Sequence, residues 1–270
     1  MELKYKLVVS DMDGTILTTN NEVGEITRKA ILDYIDAGGK FAFCSGREVE
    51  SLIYQAKDMK LPIDKITIMG LNGCVIVQNG QIIRHCDLDK NDVIGITKHL
   101  NGMKVYYQIY DQNGIYIKEQ NYISDWYCET THCGATVVGD LHQFVTKNDV
   151  NIVKVLIAES EENIDKMSGV LNQKFPNVQW FKSCDIFYEA AAKDGGKGNA
   201  LKFLANRYGI PIESTVAIGD SQNDLTMIKA AGLGIAVANA VDEIKSAADL
   251  VLEYDNNNDA VGRFINSFIK

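Results

Sequence analysis

The sequence lacks several patterns that mark particular classes of protein. No apolar run is long enough to cross a membrane, and the first residues show no signal-peptide pattern. The formal net charge is −9, so electrostatic repulsion opposes binding to nucleic acid or to an anionic membrane surface. The six cysteines include no CxxC pair, and the four histidines have no metal-ligand spacing. These absences predict a cytoplasmic protein with reduced thiols and no zinc site.

The chain is long enough for two domains. It has 270 residues, of which 46% are hydrophobic. Both ends of the chain alternate predicted strands and helices, which favours an α/β fold with a doubly wound, mostly parallel sheet. Between about residues 84 and 188 the pattern changes to a hairpin and further strands, which indicates an inserted α+β domain. We therefore expect one domain built from residues 1–83 and 189–270, and a second built from residues 84–188.

Two aspartates follow directly after a predicted buried strand. The apolar run at residues 7–10 leads into Asp11 and Asp13, which are separated by one residue. Ligands of open α/β sheets bind beyond the carboxyl ends of the strands, where two unpaired carboxylates would repel each other. A divalent cation removes this repulsion, and oxygen ligands of this kind suit Mg²⁺. The alternative interpretation is a surface turn, because Asp and Gly are common turn residues.

A second acidic cluster follows another strand of the same kind. The apolar run at residues 215–218 leads into Asp220, Asn223 and Asp224. Two strand-end clusters so far apart in sequence can meet only if their strands are neighbours in one sheet. The hypothesis is therefore that strands 7–10 and 215–218 lie side by side and bring both clusters to one site.

Two further fragments fit the same edge of the sheet. Ser45, Gly46 and Arg47 follow the apolar run at residues 41–44, and they offer a hydroxyl, a flexible backbone and a guanidinium to phosphate oxygens. Ser45 can also cap a helix. Lys197 lies between two glycines at a predicted helix start, although most lysines are solvated surface charges.

Together these four fragments resemble the motifs of the haloacid dehalogenase-like superfamily of phosphohydrolases. Residues 11–17 are similar to its first motif, residues 45–47 to its second, residues 197–198 to its third and residues 219–224 to its fourth. The order matches, and the resemblance covers almost the whole chain. The long insertion between the second and third motifs is similar to that of the Cof-like subfamily with a class IIB α/β cap. The resemblance implies a Rossmann-like catalytic core, a cap that sets specificity, and a phosphatase activity that requires Mg²⁺.

The resemblance also implies roles for individual residues. Asp11 is expected to attack phosphorus and form an aspartyl-phosphate, because a carboxylate needs no activating base. Asp13 is expected to protonate the leaving group and then to deprotonate the attacking water. The expected Mg²⁺ ligands are the side chains of Asp11 and Asp220 and the backbone carbonyl of Asp13. Phosphate or substrate contacts are expected from Met12, Ser45, Gly46, Arg47, Asn72, Lys197 and Asn223, with support from Asp224.

Several alternatives remain open from the sequence. Arg47 can contact the substrate, or it can tie its loop to neighbouring carboxylates. The aromatic residues at 122–127 can form a lid that faces the substrate, or they can pack within the cap. Cys44 is interpreted as a small packed residue rather than a nucleophile.

Other functions use the same chemical groups. A phosphomutase would return the phosphoryl group to a sugar, and a phospho-receiver or metabolite-sensing module would use Asp11 as a switch. A non-catalytic remnant would perform no chemistry. For the phosphatase, the expected partner is a small phosphorylated metabolite such as a sugar phosphate, and the expected state is a monomer or a weak homodimer. Nucleic acid and membrane are not expected partners.

Overall fold

A computed structural model describes residues 3–269. The strands within this range are β1 (Leu7–Ser10), β2 (Lys40–Cys44), β3 (Ile66–Gly70), β4 (Val75–Gln78), β5 (Gln81–His85), β6 (Tyr106–Asp111), β7 (Gly114–Ile117), β8 (Ala135–Val137), β9 (Lys154–Ala158), β10 (Val178–Cys184), β11 (Phe187–Ala192), β12 (Thr215–Gly219), β13 (Leu233–Ala236) and β14 (Leu250–Val251). The helices are α1 (Glu25–Asp36), α2 (Val49–Asp58), α3 (Lys90–Met103), α4 (Tyr122–Thr131), α5 (Leu141–Lys147), α6 (Glu161–Lys174), α7 (Lys197–Tyr208), α8 (Leu225–Ala230), α9 (Asp242–Ala247) and α10 (Ala260–Phe268).

The chain divides into two compact units. The first unit combines the residues up to Ile83 with those from Gly196 onward, and the second is Arg84–Gly195. The sheet of the first unit has the strand order β14-β13-β12-β1-β2-β3-β4-β5. Neighbouring strands from β14 to β3 are parallel, and β4 is antiparallel to β3.

The strand order of the first unit reverses between β1 and β12. From β1 the chain proceeds through β2 to β3 in one direction, and from β12 it proceeds through β13 to β14 in the other. Right-handed crossovers in opposite directions place their helices on opposite faces of the sheet, which makes the sheet doubly wound. Every residue of β1 and β12 is buried, as expected for strands covered on both faces. Ligands of such sheets bind at the carboxyl ends of the strands beside the reversal.

The second unit contains a six-stranded sheet with the order β10-β11-β9-β6-β7-β8. Its strand pairs are antiparallel except for β7 and β8, which are parallel. Residues of α3, α5 and α6, including Ile96, Val145 and Leu171, form a buried core with Ile109 and Val155 of the sheet. The predicted α/β fold with an inserted α+β segment is therefore confirmed.

The second unit continues past Tyr188, the last residue that the sequence placed in the insertion. Tyr188 lies within β11, which pairs with β9 on one side and β10 on the other. The alanines after Glu189 complete this strand, and the second unit extends to Gly195. An alanine run carries no local signal that distinguishes a strand from a connection, because its pairing partners lie elsewhere in the chain.

All six cysteines are free. Among the helices within residues 3–269, none combines the length and the apolar character needed to cross a bilayer.

Candidate active site

The two acidic clusters predicted from the sequence meet at the carboxyl ends of adjacent strands. Ser10 lies opposite Ile218 in the parallel pair formed by β1 and β12. The N–H of Asp11 donates to the carbonyl of Ile218 at 2.9 Å, so Asp11 leaves β1 still bonded to β12. Asp11, Asp220 and Asp224 each offer a carboxylate oxygen, and these oxygens lie within 4.8 Å of one another. The strands are thus neighbours, and they bring the two clusters together.

The loop after β1 holds Asp220 in place. The carbonyl of Met12 accepts a hydrogen bond from the N–H of Ile16 at 3.0 Å, which closes the loop. The Thr15 hydroxyl donates to Asp220 Oδ1 at 2.7 Å. Gly14 has a φ of +73°, and a Cβ at this position would lie 2.6 Å from Asp220 Oδ2. Glycine is therefore required here both for the left-handed backbone and for the close approach of Asp220.

Asp224 connects its own loop to Lys197. It is fully buried. Its Oδ2 atom accepts hydrogen bonds from the N–H groups of Asp220 and Ser221, at 2.9 and 3.0 Å. Its Oδ1 atom accepts from Lys197 Nζ at 2.5 Å. Both oxygens of Asp224 are thus engaged by donors of the protein.

Lys197 is a buried residue, so its interpretation as a solvated surface charge is wrong. It is 1% exposed and begins α7, and its Nζ atom also donates to Asp11 Oδ1 at 2.5 Å. The next residue, Gly198, donates its N–H to the Thr226 hydroxyl at 3.1 Å. A Cβ on Gly198 would overlap the Thr226 carbonyl, so only glycine permits α7 and α8 to approach closely here. This approach places the Lys197 ammonium between Asp11 and Asp224.

The site carries more negative charge than Lys197 can balance. Burial, reinforced by Asp224, raises the pKa of Asp11 well above its ordinary value, although Lys197 opposes the shift. Burial and the Asp224 charge likewise raise the pKa of Asp220 to about 7. Burial disfavours the charged form of Lys197, but Asp11 and Asp224 outweigh it and raise the pKa of the ammonium. Three carboxylates and one ammonium in a buried cluster favour the binding of a hard cation.

Arg47 binds Asp13 through both arms of its guanidinium. Nε donates to Asp13 Oδ2 at 2.8 Å, and Nη2 donates to Asp13 Oδ1 at 2.6 Å. The side chain of Arg47 is 9% exposed, whereas that of Asp13 is 47% exposed. The sequence left open whether Arg47 contacts the substrate or binds a neighbouring carboxylate. The structure shows it bound to the Asp13 carboxylate. The Asp13 side chain lies outside the cluster of Asp11, Asp220 and Asp224.

Ser45 closes its own loop and does not cap a helix. Its N–H donates to the Met69 carbonyl at 3.0 Å, and its hydroxyl accepts from the N–H of Arg47 at 3.2 Å. Helix α2 begins at Val49, and Glu48 occupies its N-cap position. The capping interpretation of Ser45 is therefore wrong, because the helix begins too late in the chain.

Asn72 and Asn223 contact each other near the same loop. The Nδ2 atom of Asn223 donates to Asn72 Oδ1 at 3.1 Å. A Cβ on Gly46 would lie 3.4 Å from that same Asn72 oxygen. The structure thus brings residues of the second and fourth motifs together through Asn72.

Cys44 precedes this loop at the end of β2 and is fully buried. Burial raises the pKa of its thiol above the ordinary value. A thiol that stays neutral is a poor nucleophile, which agrees with the interpretation of Cys44 as a packed residue.

In the second unit, the aromatic residues at 122–127 belong to helix α4 and divide between two environments. Tyr127 is buried, and its ring centroid lies 5.9 Å from Phe187 and 6.3 Å from Tyr110. Tyr122 and Trp126 are 81% and 49% exposed. Together with Phe187 they line a cavity of about 450 Å³. Tyr127 thus packs in the interior of the second unit, whereas Tyr122 and Trp126 border an open cavity of that unit.

Several residues that the motifs do not single out support the site or the core of the second unit. Thr15 belongs to the first motif, so its place two residues after Asp13 was an available signal. Thr226 showed no signal, because its contact with Gly198 depends on two helices meeting. In the second unit, the buried ion pair of Lys154 and Glu189, with 3.5 Å between Nζ and Oε2, was also unforeseen.

Comparisons with known proteins identify the family of this chain. A family model described as haloacid dehalogenase-like hydrolase matches residues 8–265. The chain is similar to the Bacillus subtilis protein YitU, named 5-amino-6-(5-phospho-D-ribitylamino)uracil phosphatase. The two are 26% identical over 280 residues, which cover 99% of each chain.

Solved structures share the fold. TM0651 from Thermotoga maritima is 27% identical, with a TM-score of 0.83 and 97% of both chains covered. The HAD subclass IIB sugar phosphatase BT4131 is 18% identical, with a TM-score of 0.85 over 98% of this chain and 100% of that one. This second likeness concerns the fold, which is that of subclass IIB.

Proposed function

Since this chain belongs to the haloacid dehalogenase-like hydrolase family and is a phosphatase, we propose that it cleaves small phosphomonoesters through an aspartyl-phosphate on Asp11, with Mg²⁺ as cofactor. The observation that carries this proposal is the Asp11 carboxylate at a strand end, 2.5 Å from a buried Lys197 ammonium and grouped with Asp220. Such a carboxylate can attack phosphorus while Lys197 stabilises the phosphoryl oxygens. The substrate we propose is a sugar phosphate or a related phosphorylated metabolite, a class that includes the compound in YitU's name.

In the first step, an Asp11 oxygen forms a bond to phosphorus as the bond to the leaving alkoxide breaks. Asp13 gives its proton to that alkoxide. In the second step, Asp13 takes a proton from water, the water oxygen attacks phosphorus, and Asp11 is released with inorganic phosphate. Both carboxylate oxygens of Asp13 accept hydrogen bonds from Arg47. To donate a proton in the first step, Asp13 must release at least one of these hydrogen bonds to Arg47 when the substrate binds.

The residues present fit a magnesium ion. We propose that the side chains of Asp11 and Asp220 and the backbone carbonyl of Asp13 hold it, whereas Asp224, engaged by three protein donors, supports the site. Burial and, after it, the charge of Asp224 raise the pKa values of Asp11 and Asp220. A hard cation would offset the repulsion among these carboxylates. When bound, Mg²⁺ neutralises charge on the transferring phosphoryl group.

The remaining motif residues recognise the phosphoryl group in this proposal. Lys197, the Ser45 hydroxyl and the side chain of Asn223 supply donors. The backbone N–H groups of Met12 and Gly46 supply further donors. Donors aimed at the phosphoryl oxygens provide most of the catalysis in phosphoryl transfer, because little covalent chemistry is left to the protein.

We further propose that the second unit selects the substrate. The groups assembled in the first unit bind the phosphoryl group, which every phosphomonoester shares, so discrimination requires other residues. The second unit offers an aromatic-lined cavity with exposed Tyr122 and Trp126. The free cysteines support a cytoplasmic location, and the net charge of −9 opposes binding to nucleic acid or to anionic membranes. We further propose that the protein acts as a monomer or weak homodimer.

Asp11→Asn tests the proposed nucleophile. The change keeps the shape of the side chain and removes its charge, so turnover should be abolished while the circular dichroism spectrum is retained. The matched control is Asp64→Asn, an exposed aspartate of the first unit, which should leave turnover unchanged. Release of inorganic phosphate from an aryl phosphate measures both. Normal turnover by folded Asp11→Asn would refute the assignment.

Chelation tests the cofactor. Exhaustive treatment with EDTA should stop phosphate release, and added Mg²⁺ should restore it, because Asp11 and Asp220 otherwise repel the incoming phosphate. Full activity in a sample shown by metal analysis to be free of divalent ions would remove the cation from the mechanism. Sustained multiple turnover also separates a phosphatase from a receiver module, and net release of inorganic phosphate separates it from a mutase.

A further inference from the structure

The turn after β3 has an unusual backbone. Three successive residues have a positive φ: Leu71 at 51°, Asn72 at 57° and Gly73 at 82°. Glycine and asparagine tolerate this region, whereas leucine adopts it rarely. A run of this kind persists only where the surrounding structure enforces it, and such runs concentrate at functional sites.

Contacts with the second motif account for the first part of this turn. The N–H of Leu71 donates to the Arg47 carbonyl at 2.8 Å, and the N–H of Asn72 donates to the Ser45 carbonyl, also at 2.8 Å. The left-handed backbone turns two consecutive N–H groups toward the loop that carries Ser45 and Arg47. Leu71 therefore keeps an unfavourable φ because these two hydrogen bonds require it.

The third and fourth motifs contact the same turn. Asn72 is 1% exposed, and its Oδ1 atom accepts a hydrogen bond from Asn223 Nδ2 at 3.1 Å. The other end of the Asn223 amide, Oδ1, accepts from the Ser221 hydroxyl at 3.0 Å, so the orientation of the carboxamide is held from both ends. A Cβ on Gly73 would overlap the Cβ of Ala200, which lies one turn after Lys197 in α7. The turn at residues 71–73 thus contacts the loops of the second and fourth motifs and helix α7, which begins at Lys197.

We propose that Asn72 is a positioning residue of the phosphatase, which orients Asn223 and holds the Ser45 loop at a set distance from it without contacting the substrate. This inference rests on the proposed function. Asparagine suits the position because it tolerates a left-handed backbone and carries an acceptor that is not charged. Its effect on turnover should therefore pass through Asn223.

A double-mutant cycle in kcat tests this dependence on Asn223. Asn72→Gly keeps the left-handed backbone accessible and removes the amide, and losing one buried hydrogen bond of this kind should lower kcat by about tenfold. Asn223→Ala should lower kcat at least as much. If Asn72 acts through Asn223, the double variant should lose no more than Asn223→Ala alone. If the fold-losses in kcat of the two single variants multiply in the double variant, as a merely structural role of Asn72 would also predict, the proposal is wrong. Full activity of Asn72→Gly would overturn it too.

Two further variants separate the side chain from the backbone. Asn79→Gly is the matched control, because Asn79 is an exposed asparagine with a φ of 51° in the same unit, and it should leave kcat unchanged. Asn72→Asp keeps an acceptor opposite Asn223 and adds a charge, so KM should rise while kcat stays above that of Asn72→Gly. A kcat no higher than that of Asn72→Gly would overturn the role of the acceptor.

The wild-type protein and Asp11→Asn are assayed in parallel on p-nitrophenyl phosphate with Mg²⁺. If the wild type releases no phosphate, or Asp11→Asn remains active, the proposed function fails and the inference falls with it. If both behave as proposed while the Asn72 and Asn223 losses multiply, only the inference fails.

Discussion

Asp220→Asn should stabilise the metal-free protein at pH 8, although the change removes a proposed metal ligand. Burial and the charge of Asp224 raise the pKa of Asp220 from 3.8 to about 7. The ionised side chain therefore destabilises the fold when no cation is bound. The amide of asparagine keeps the acceptor that binds the Thr15 hydroxyl at 2.7 Å, so the contact is retained and the charge is lost.

The magnitude follows from the shift in pKa. Each pH unit between the two pKa values corresponds to about 1.4 kcal/mol, so ionisation of Asp220 costs the folded state about 4 kcal/mol. Because Asp220 is only partly buried and solvent screens its charge, about half of this figure, about 2 kcal/mol, is expected from the substitution. For a protein of this size the gain corresponds to a rise in Tm of about 4–8 °C.

The sign of the pH dependence is fixed by the raised pKa. The folded protein retains a proton on Asp220 that the unfolded chain releases near pH 3.8. The stability linked to this proton is complete below that pH and is lost as the pH rises through 7. The Tm of Asp220→Asn should therefore exceed that of the wild type by an amount that grows from pH 4 to pH 7 and then levels off.

Differential scanning calorimetry in EDTA, repeated across this pH range, measures the Tm of the first unit in the wild type and in Asp220→Asn. Asp64→Asn is the control for the loss of an exposed charge. Saturating Mg²⁺ should reverse the order at pH 8, because a ligand at 100 times its Kd adds about 2.7 kcal/mol to the wild type. The variant has lost a ligand and should gain less. If Asp220→Asn melts at or below the wild type in EDTA at pH 8, or if the difference does not change with pH, the electrostatic account of this cluster is wrong.

Three further predictions concern the proton donor, the buried lysine and the second unit. Asp13→Asn should slow turnover by about 10²–10⁴-fold. In this variant a very good leaving group should restore the phosphorylation of Asp11 better than the hydrolysis of the aspartyl-phosphate, and equal rescue of both steps would contradict a dual role for Asp13. Lys197→Met should abolish turnover and destabilise the protein by about 3–5 kcal/mol, because Asp11 and Asp224 lose a buried partner; an unchanged Tm in thermal melts would contradict this. Replacing the unit Arg84–Gly195 by that of a relative should change the ranking of metabolite substrates but not the hydrolysis of an aryl phosphate, and folded chimeras that keep the parent's ranking would show that another region sets specificity.

Much of the fold was predictable because its signals are local. The strands that end before Asp11 and Asp220 are near-continuous apolar runs, which is the pattern of strands buried on both faces. The adjacency of β1 and β12 followed from a chemical argument, since two distant acidic clusters form one site only if their strands are neighbours. The end of the second unit was less predictable. Residues 189–192 form a strand because they pair with β9 and β10. An alanine-rich segment carries no sequence pattern that identifies these pairing partners.

The sequence by itself determined which chemical groups are present, their order along the chain and the strand ends that carry them, because each motif is a short run next to a recognisable strand or helix start. Tertiary structure alone decided how these groups pair. Three contacts depend on distances between segments that are far apart in the chain. They are the two hydrogen bonds from the Arg47 guanidinium to Asp13, the hydrogen bond from Asn223 to Asn72, and the close approach of Gly198 to Thr226. The register of the sheet and the packing of the helices set those distances, and no local pattern in the chain carries them.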